Sequence, residues 1–196
     1  MNLLVIAGFL GSGKTTVLLD LARRMTDRGL SPAIVENEIG EIGVDGEVIR
    51  RHNLVVRELF GGCICCTLQT GLAQALRDIE AEFDPDWAVV EPTGLAAPGD
   101  ITRTALQLMP SIGSATVLTL VDAERWEMLV EVVEPLVTAQ IEAADVIAVN
   151  KIDIVGETAA AAVSGAVRSL NAEAPIVLTA AADGRGLQEL SEAVLA

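Results

Sequence analysis

The chain has 196 residues, with 13 Lys and Arg set against 28 Asp and Glu, for a formal net charge of −15. Such acidity excludes a large nucleic-acid surface, which needs a basic stripe, but leaves room for a small loop that grips phosphate locally. Apolar residues make up 51% and aromatic residues 3%, a mixture suited to one layered α/β domain over residues 1–196 rather than to an aromatic-rich sandwich. No stretch approaches the roughly 18 apolar residues of a membrane span. The apolar amino terminus is short and lacks the basic flank of a signal peptide. With an odd, clustered set of cysteines, the expectation is a reduced, cytoplasmic setting with neither membrane nor nucleic acid as partner.

In chain order, Leu3–Ala7 is an apolar run before a glycine-rich turn. Val17, Leu18, Leu21, Ala22 and Met25 then recur at helical spacing, and Arg28-Gly29 ends that helix. Pro32–Glu36 reads as a strand, residues 37–53 as a long polar loop that has room for a small hairpin, and Leu54–Leu59 as another strand. Leu72, Ala75, Leu76, Ile79 and Phe83 mark a helix, and Trp87–Val90 a buried strand. A short helix over Ile101–Leu108 stops at Pro110, and Ala115–Val121 is a strand. Trp126, Leu129, Val130, Val133 and Val137 mark a helix kinked near Pro135. Val146–Val149 is a strand, an Ala-rich helix covers about 157–171, Ile176–Thr179 is the last strand, and Leu187, Leu190 and Val194 mark a final helix. About seven strands alternating with helices predict a three-layer α/β fold around a mainly parallel sheet. In such folds the loops at the carboxyl ends of strands form the ligand rim.

Gly8-Phe-Leu-Gly-Ser-Gly-Lys-Thr15 matches G-x-x-x-x-G-K-[ST] in full, with a strand before it and a helix after. Backbone amides from Gly11, Ser12, Gly13, Lys14, Thr15 and Thr16 can turn toward an anion at the helix amino terminus. Lys14 brings a point charge to the outer phosphates, and the Thr15 hydroxyl suits Mg²⁺. Asn150-Lys-Ile-Asp153 follows a strand. Guanine offers two N–H donors on one edge, and the single carboxylate of Asp153 can accept both. Adenine has an acceptor there, so GTP is favoured over ATP and a small-molecule kinase is disfavoured. Asn150 supports the loop and reaches the base, the Lys151 stem covers it, and Ala181 in Thr179–Asp183 offers a capping amide.

Glu91, in the strand-ending "EPTG", faces the phosphate loop as a candidate ligand of the magnesium shell, or is a solvated strand-end acid. Gly94 offers an amide to a γ-phosphate. Phosphoryl transfer asks mainly for such positioning and charge stabilisation. Glu36–Asp45 holds four acids, reading either as a solvated loop or as carboxylates for a metal. Asp122 also ends a strand on the rim. Cys63, Cys65 and Cys66 are the only cysteines. Their spacing just before a helix favours thiolates and a soft transition metal, Zn²⁺ or Co²⁺, with Glu36, Glu41, water or a client completing the shell. A tight loop filled by small thiols and a redox pair fit the same spacing. His52, the lone histidine, reads as a surface residue.

Taken in this order, GFLGSGKTT, ENEIGEIGVD, GGCICCT, EPTG and NKID closely resemble the CobW-type GTPases, P-loop proteins named for a cobalamin-synthesis member. The resemblance covers residues 1 to about 190, with the C-x-C-C element its most specific part. It implies GTP hydrolysis, with GDP as product, coupled to transition-metal handling for a metalloprotein client. Lys14 and Thr15 take the phosphate and Mg²⁺ roles, Glu91 the magnesium shell and Asp153 the guanine. Cys63, Cys65 and Cys66, with Glu36 and Glu41, take the metal positions. Relatives also imply a nucleotide-bridged homodimer. Ile39 stands where a phenylalanine is common, and the chain reads as a short form without the relatives' carboxyl-terminal domain and histidine-rich stretch. The alternative is a GTP-dependent switch or assembly factor for a metallo- or corrinoid enzyme, with the thiols structural.

Overall fold

The computed structural model describes residues 1–36, 55–58, 67–94 and 97–196. Seven strands among them form one parallel sheet: β1 (Asn2–Gly8), β2 (Pro32–Glu36), β3 (Val55–Glu58), β4 (Trp87–Glu91), β5 (Ala115–Asp122), β6 (Val146–Asn150) and β7 (Ile176–Leu178). Their order across the sheet is β3-β2-β4-β1-β5-β6-β7. The helices are α1 (Lys14–Asp27), α2 (Thr67–Phe83), α3 (Pro98–Leu108), α4 (Trp126–Glu142), α5 (Ile152–Leu170) and α6 (Leu187–Val194).

The central strands read as continuous apolar runs because both faces are covered. Alternate residues divide between the two. Leu4, Ile6, Ile34, Val89, Leu118 and Ala148 pack under α1 and α6. Leu3, Val5, Ala33, Val35 and Val90 pack under α2 and α3, and Ile147 and Val149 continue that face under α4 and α5. These are the three layers expected. Among the described residues no helix is long and apolar enough to cross a membrane.

Two helices are interrupted. In α4 the non-helical residue is Val133, at φ −139° and ψ 33°, two positions before the predicted site. Pro135 lacks an amide hydrogen and its ring collides with the carbonyl four residues back, so the distortion falls upstream of the proline. In α5, Gly156 sits at φ 77° and ψ 170°, separating one turn after the NKID loop from the Ala-rich body over 157–170. This explains why the periodicity shows only the body. The predicted loop at 37–53 lies outside the described residues.

Strand order places the site. β1 has β4 on one side and β5 on the other, so the chain's crossovers change direction beside it. The crevice outside the carboxyl ends of such a pair is where ligands bind in open α/β sheets. At the opposite edge, the Asp86 carboxylate accepts from the Ser31 amide at 2.8 Å and the Ser31 hydroxyl at 3.0 Å. These bonds, the backbone one foremost, hold the Asp86 carboxyl below the usual carboxylate range. A lowered folded value means the stabilisation is present above the unfolded pKa and fades as pH falls through the folded one. Asp86→Asn is expected to cost about 0.5–1 kcal/mol at neutral pH, with the difference from wild type vanishing on acidification. Urea denaturation across pH 2–7 checks this.

Candidate nucleotide site

The loop between β1 and α1 closes on itself through Ser12 N–H to Phe9 O at 3.0 Å. Gly13, in the left-handed region at φ 101°, caps α1. No side chain caps this helix start, and its first turn carries no acid. Its leading amides therefore lack an internal partner and suit an anion. The Ser12 hydroxyl is fully buried, without a hydrogen-bond partner.

Lys14 is nearly buried. Its Nζ donates to Phe9 O at 3.3 Å and stands 3.8 Å from Glu91 Oε1. Thr15 Oγ1 donates to the Glu91 carboxylate, at 3.1 and 3.2 Å to its two oxygens. The last residue of β4 and the first turn of α1 thus bring a hydroxyl and a carboxylate together, a hard-oxygen set of the kind Mg²⁺ takes. Gly94 lies against the loop. A Cβ added there would stand 2.9 Å from Leu10 N and 3.3 Å from Gly8 O, so a side chain would push the EPTG turn off the phosphate loop.

Asn150 joins the phosphate end to the other end of the site. Its Nδ2 donates to Ser12 O at 2.8 Å, and its Oδ1 accepts from Thr179 Oγ1 at 3.1 Å and the Ala181 amide at 2.9 Å. These bonds tie the phosphate loop, the end of β6 and the turn after β7 together through one side chain. Both polar atoms engage protein rather than reaching outward, and the Ala181 amide proposed for the base is held by Asn150. Lys151 adopts φ 68°. Its ammonium lies 2.9 Å from Asp122 and 3.0 Å from Glu124. Burial opposes its charge, but the two carboxylates outweigh burial and raise its pKa. Asp153 is exposed in the first turn of α5.

Two residues that the sequence reading passed over belong to this rim. Arg125 bonds Asp122 and reaches Leu10 O. Gln140, on the buried face of α4, donates to Gly94 O at 3.1 Å. The available signals were an arginine three positions after a strand-ending aspartate and a lone amide among Leu129, Val137 and Ile141. A recess lined by Phe9, Trp126, Leu129, Val137 and Ile141 opens beside the loop.

Cys63, Cys65, Cys66 and Glu41 lie outside the described residues, and only the backbone of Glu36 is described. Among the described residues no cluster of three or more His, Cys, Asp or Glu is arranged to hold a metal. The ends of β2, β3 and β4 are informative. Glu36 pairs in register with Glu91 of β4 and with Glu58, which ends β3. β3, the strand that precedes the cysteines in sequence, therefore ends on the same carboxyl edge of the sheet as β1.

A phosphate loop at the switch point of a parallel sheet, backed by a strand-ending carboxylate, defines a P-loop nucleotide-binding protein. Residues 2–178 match the family described as CobW/HypB/UreG, nucleotide-binding domain, and the chain belongs to it. It is similar to the zinc chaperone YjiA of Escherichia coli (strain K12), 33% identical over 180 residues that cover 88% of this chain and 55% of that protein. The solved Zn(II)-bound YjiA GTPase superposes with a TM-score of 0.67 at 26% identity, covering 90% of this chain and 56% of that one. The fold is also that of the hydrogenase maturation factor HypB from Archaeoglobus fulgidus, at TM-score 0.75, 19% identity, and 98% and 87% coverage. The chain spans about half the length of the curated relatives it matches.

Replacing Asn150 with Ala strands Ser12 O, Thr179 Oγ1 and the Ala181 amide together. The expected cost is about 3 kcal/mol in denaturant unfolding. Asn150→Asp, which keeps the acceptor but sets a carboxylate against Ser12 O, should also destabilise.

Proposed function

We propose that this protein binds and hydrolyses GTP and uses the nucleotide state to load or deliver a transition metal, Zn²⁺ foremost, to a metalloprotein client. One observation carries the reading. The phosphate loop, the NKID loop and the entry to the cysteine segment all stand on one edge of one sheet, with Asn150 tying the first two together. The names of similar proteins, a zinc chaperone and a Zn(II)-bound GTPase, support the metal and the nucleotide.

In this reading the amides of Gly11 to Thr16 receive the phosphates. Lys14 exchanges Phe9 O for a phosphate oxygen, and the Gly94 amide meets the γ-phosphate. Thr15 and Glu91 would hold Mg²⁺, whose chemistry is to neutralise charge on the outer phosphates. Asp153 accepts the two guanine N–H groups, and the Lys151 stem lies over the base. Lys14 and Glu91 are the residues closest to the reacting phosphate. Cys63, Cys65 and Cys66, with Glu36 and Glu41, take the cargo metal as thiolate and carboxylate donors. Metal bound there and the γ-phosphate act on one another through the residues between them, so each tightens the other by the same factor.

Zn²⁺ titrated into the protein with GDP and with a non-hydrolysable GTP analogue should bind more tightly in the second case. Equal affinities defeat the coupling and leave a GTP-operated switch with structural thiols. Base recognition has its own check. Asparagine presents one acceptor and one donor, which match the ring N–H and the carbonyl of xanthine. Asp153→Asn should therefore lose GTP by at least tenfold, about 1.4 kcal/mol, and gain xanthosine triphosphate in competition binding.

A further inference from the structure

We propose that Arg125 is a positioning residue for the phosphate loop, holding the Leu10–Gly11 peptide so that the Gly11 N–H faces the bound phosphates. The inference rests on the phosphate-binding reading above.

Arg125 lies at the start of α4, three residues after the end of β5. Its Nε donates to Asp122 Oδ2 at 2.7 Å, and its Nη2 lies 2.6 Å from the same oxygen. Nη2 also donates at 2.5 Å to Leu10 O, in a loop 115 positions away in sequence. The guanidinium covers Gly11 as well. A Cβ built there would stand 3.2 Å from Nη2 and 3.7 Å from both Cζ and Nη1. A residue whose only task was to clamp its own helix start to Asp122 would have no need of the Leu10 bond.

The consequence follows from the peptide group. Leu10 O and Gly11 N–H belong to one planar trans unit and point to opposite sides. With the oxygen drawn to Arg125 on the flank of the loop, the hydrogen is turned the other way, to the concave side. A cation on the carbonyl also polarises the unit and strengthens its N–H as a donor. The hold is firm because Asp122 is buried and saturated. Its Oδ1 accepts the amides of Glu124 at 3.1 Å and Arg125 at 3.3 Å, and its Oδ2 also takes the Lys151 ammonium at 2.9 Å. Lys151 and the arginine that reaches the phosphate loop therefore share one carboxylate oxygen.

The experiment uses Arg125→Gln and Arg125→Lys, with calorimetry of GDP and a GTP analogue and amide NMR of Gly11 at saturating GDP. Wild type should show the Gly11 amide proton moving downfield as it meets phosphate. Arg125→Gln should lose roughly tenfold in affinity for both nucleotides, with a much smaller downfield move even when saturated. Arg125→Lys, which brings a point donor in place of a fork, can serve Leu10 O or Asp122 but not both, and should fall between. Variants that bind as tightly as wild type and show the full Gly11 shift overturn the proposal. So does a loss of unfolding stability with the Gly11 shift intact, which is the signature of a helix clamp. If one variant fails to fold, the other decides. A wild type that binds neither nucleotide overturns the phosphate-binding reading itself.

Discussion

The site depends on one buried carboxamide. A nucleotide is long enough to need two grips, and the two candidate grips follow β1 and β6, strands that are not neighbours because β5 lies between them. Backbone pairing alone cannot fix the distance between their loops. Asn150 does so by reaching from the end of β6 to Ser12 O, while its other atom holds Thr179 and Ala181 beyond β7. Beneath this bridge β5 ends at Asp122, in register with Asn150, and adds a second, ionic tie. A bond to a buried amide is worth little in net stability but costs the full desolvation of its partners when broken. That asymmetry makes the arrangement all-or-none.

The phosphate loop is meanwhile held in shape by bonds a ligand can take over. Lys14 rests on Phe9 O and near Glu91, and Thr15 rests on Glu91. Each is a polar group satisfied at low exposure, so none pays the penalty of an unpaired buried donor. A phosphate or a hard cation arriving here replaces one partner with another, and the net cost of entry is small. The Ser12 hydroxyl and the uncapped start of α1 are the groups whose satisfaction improves outright.

Much of this was legible in the sequence. The apolar runs of β1, β2 and β4 to β6 and the helical spacings named the elements within a few residues, because a parallel sheet buried on both faces leaves little ambiguity of period. The phosphate and NKID loops could be read because their chemistry needs contiguous residues. The Asp122, Arg125 and Lys151 knot, and the Gln140 bond to Gly94, were not. Lys151 meets Asp122 from 29 positions away, Gln140 meets Gly94 from 46 and Arg125 meets Leu10 from 115, and a single sequence carries no record of such meetings. Asn150 was read as a support that also reaches the base, and its use of the Ala181 amide depends on the exact turn after β7. The kink in α4 was visible in Pro135, yet its position at Val133 follows from where the ring collides.

The order of strands also bears on how a metal at the cysteine segment can influence a phosphate. In the proposed reading the base lies toward β6 and β7 and the phosphates between β1 and β4, while β3, the strand that precedes the cysteines in sequence, stands at the far edge of the sheet. Between that edge and the phosphate loop stand only the ends of β2 and β4, where Glu58, Glu36 and Glu91 occupy one register across three strands. In the proposed reading Glu91 would hold Mg²⁺, and Glu36, the middle of the three positions, would take part in holding the transition metal. Neighbouring strands stand about 4.8 Å apart, so the backbones of Glu36 and Glu91 are one strand spacing apart. Coupling over that distance, as the proposed function requires, would need no long relay through the core.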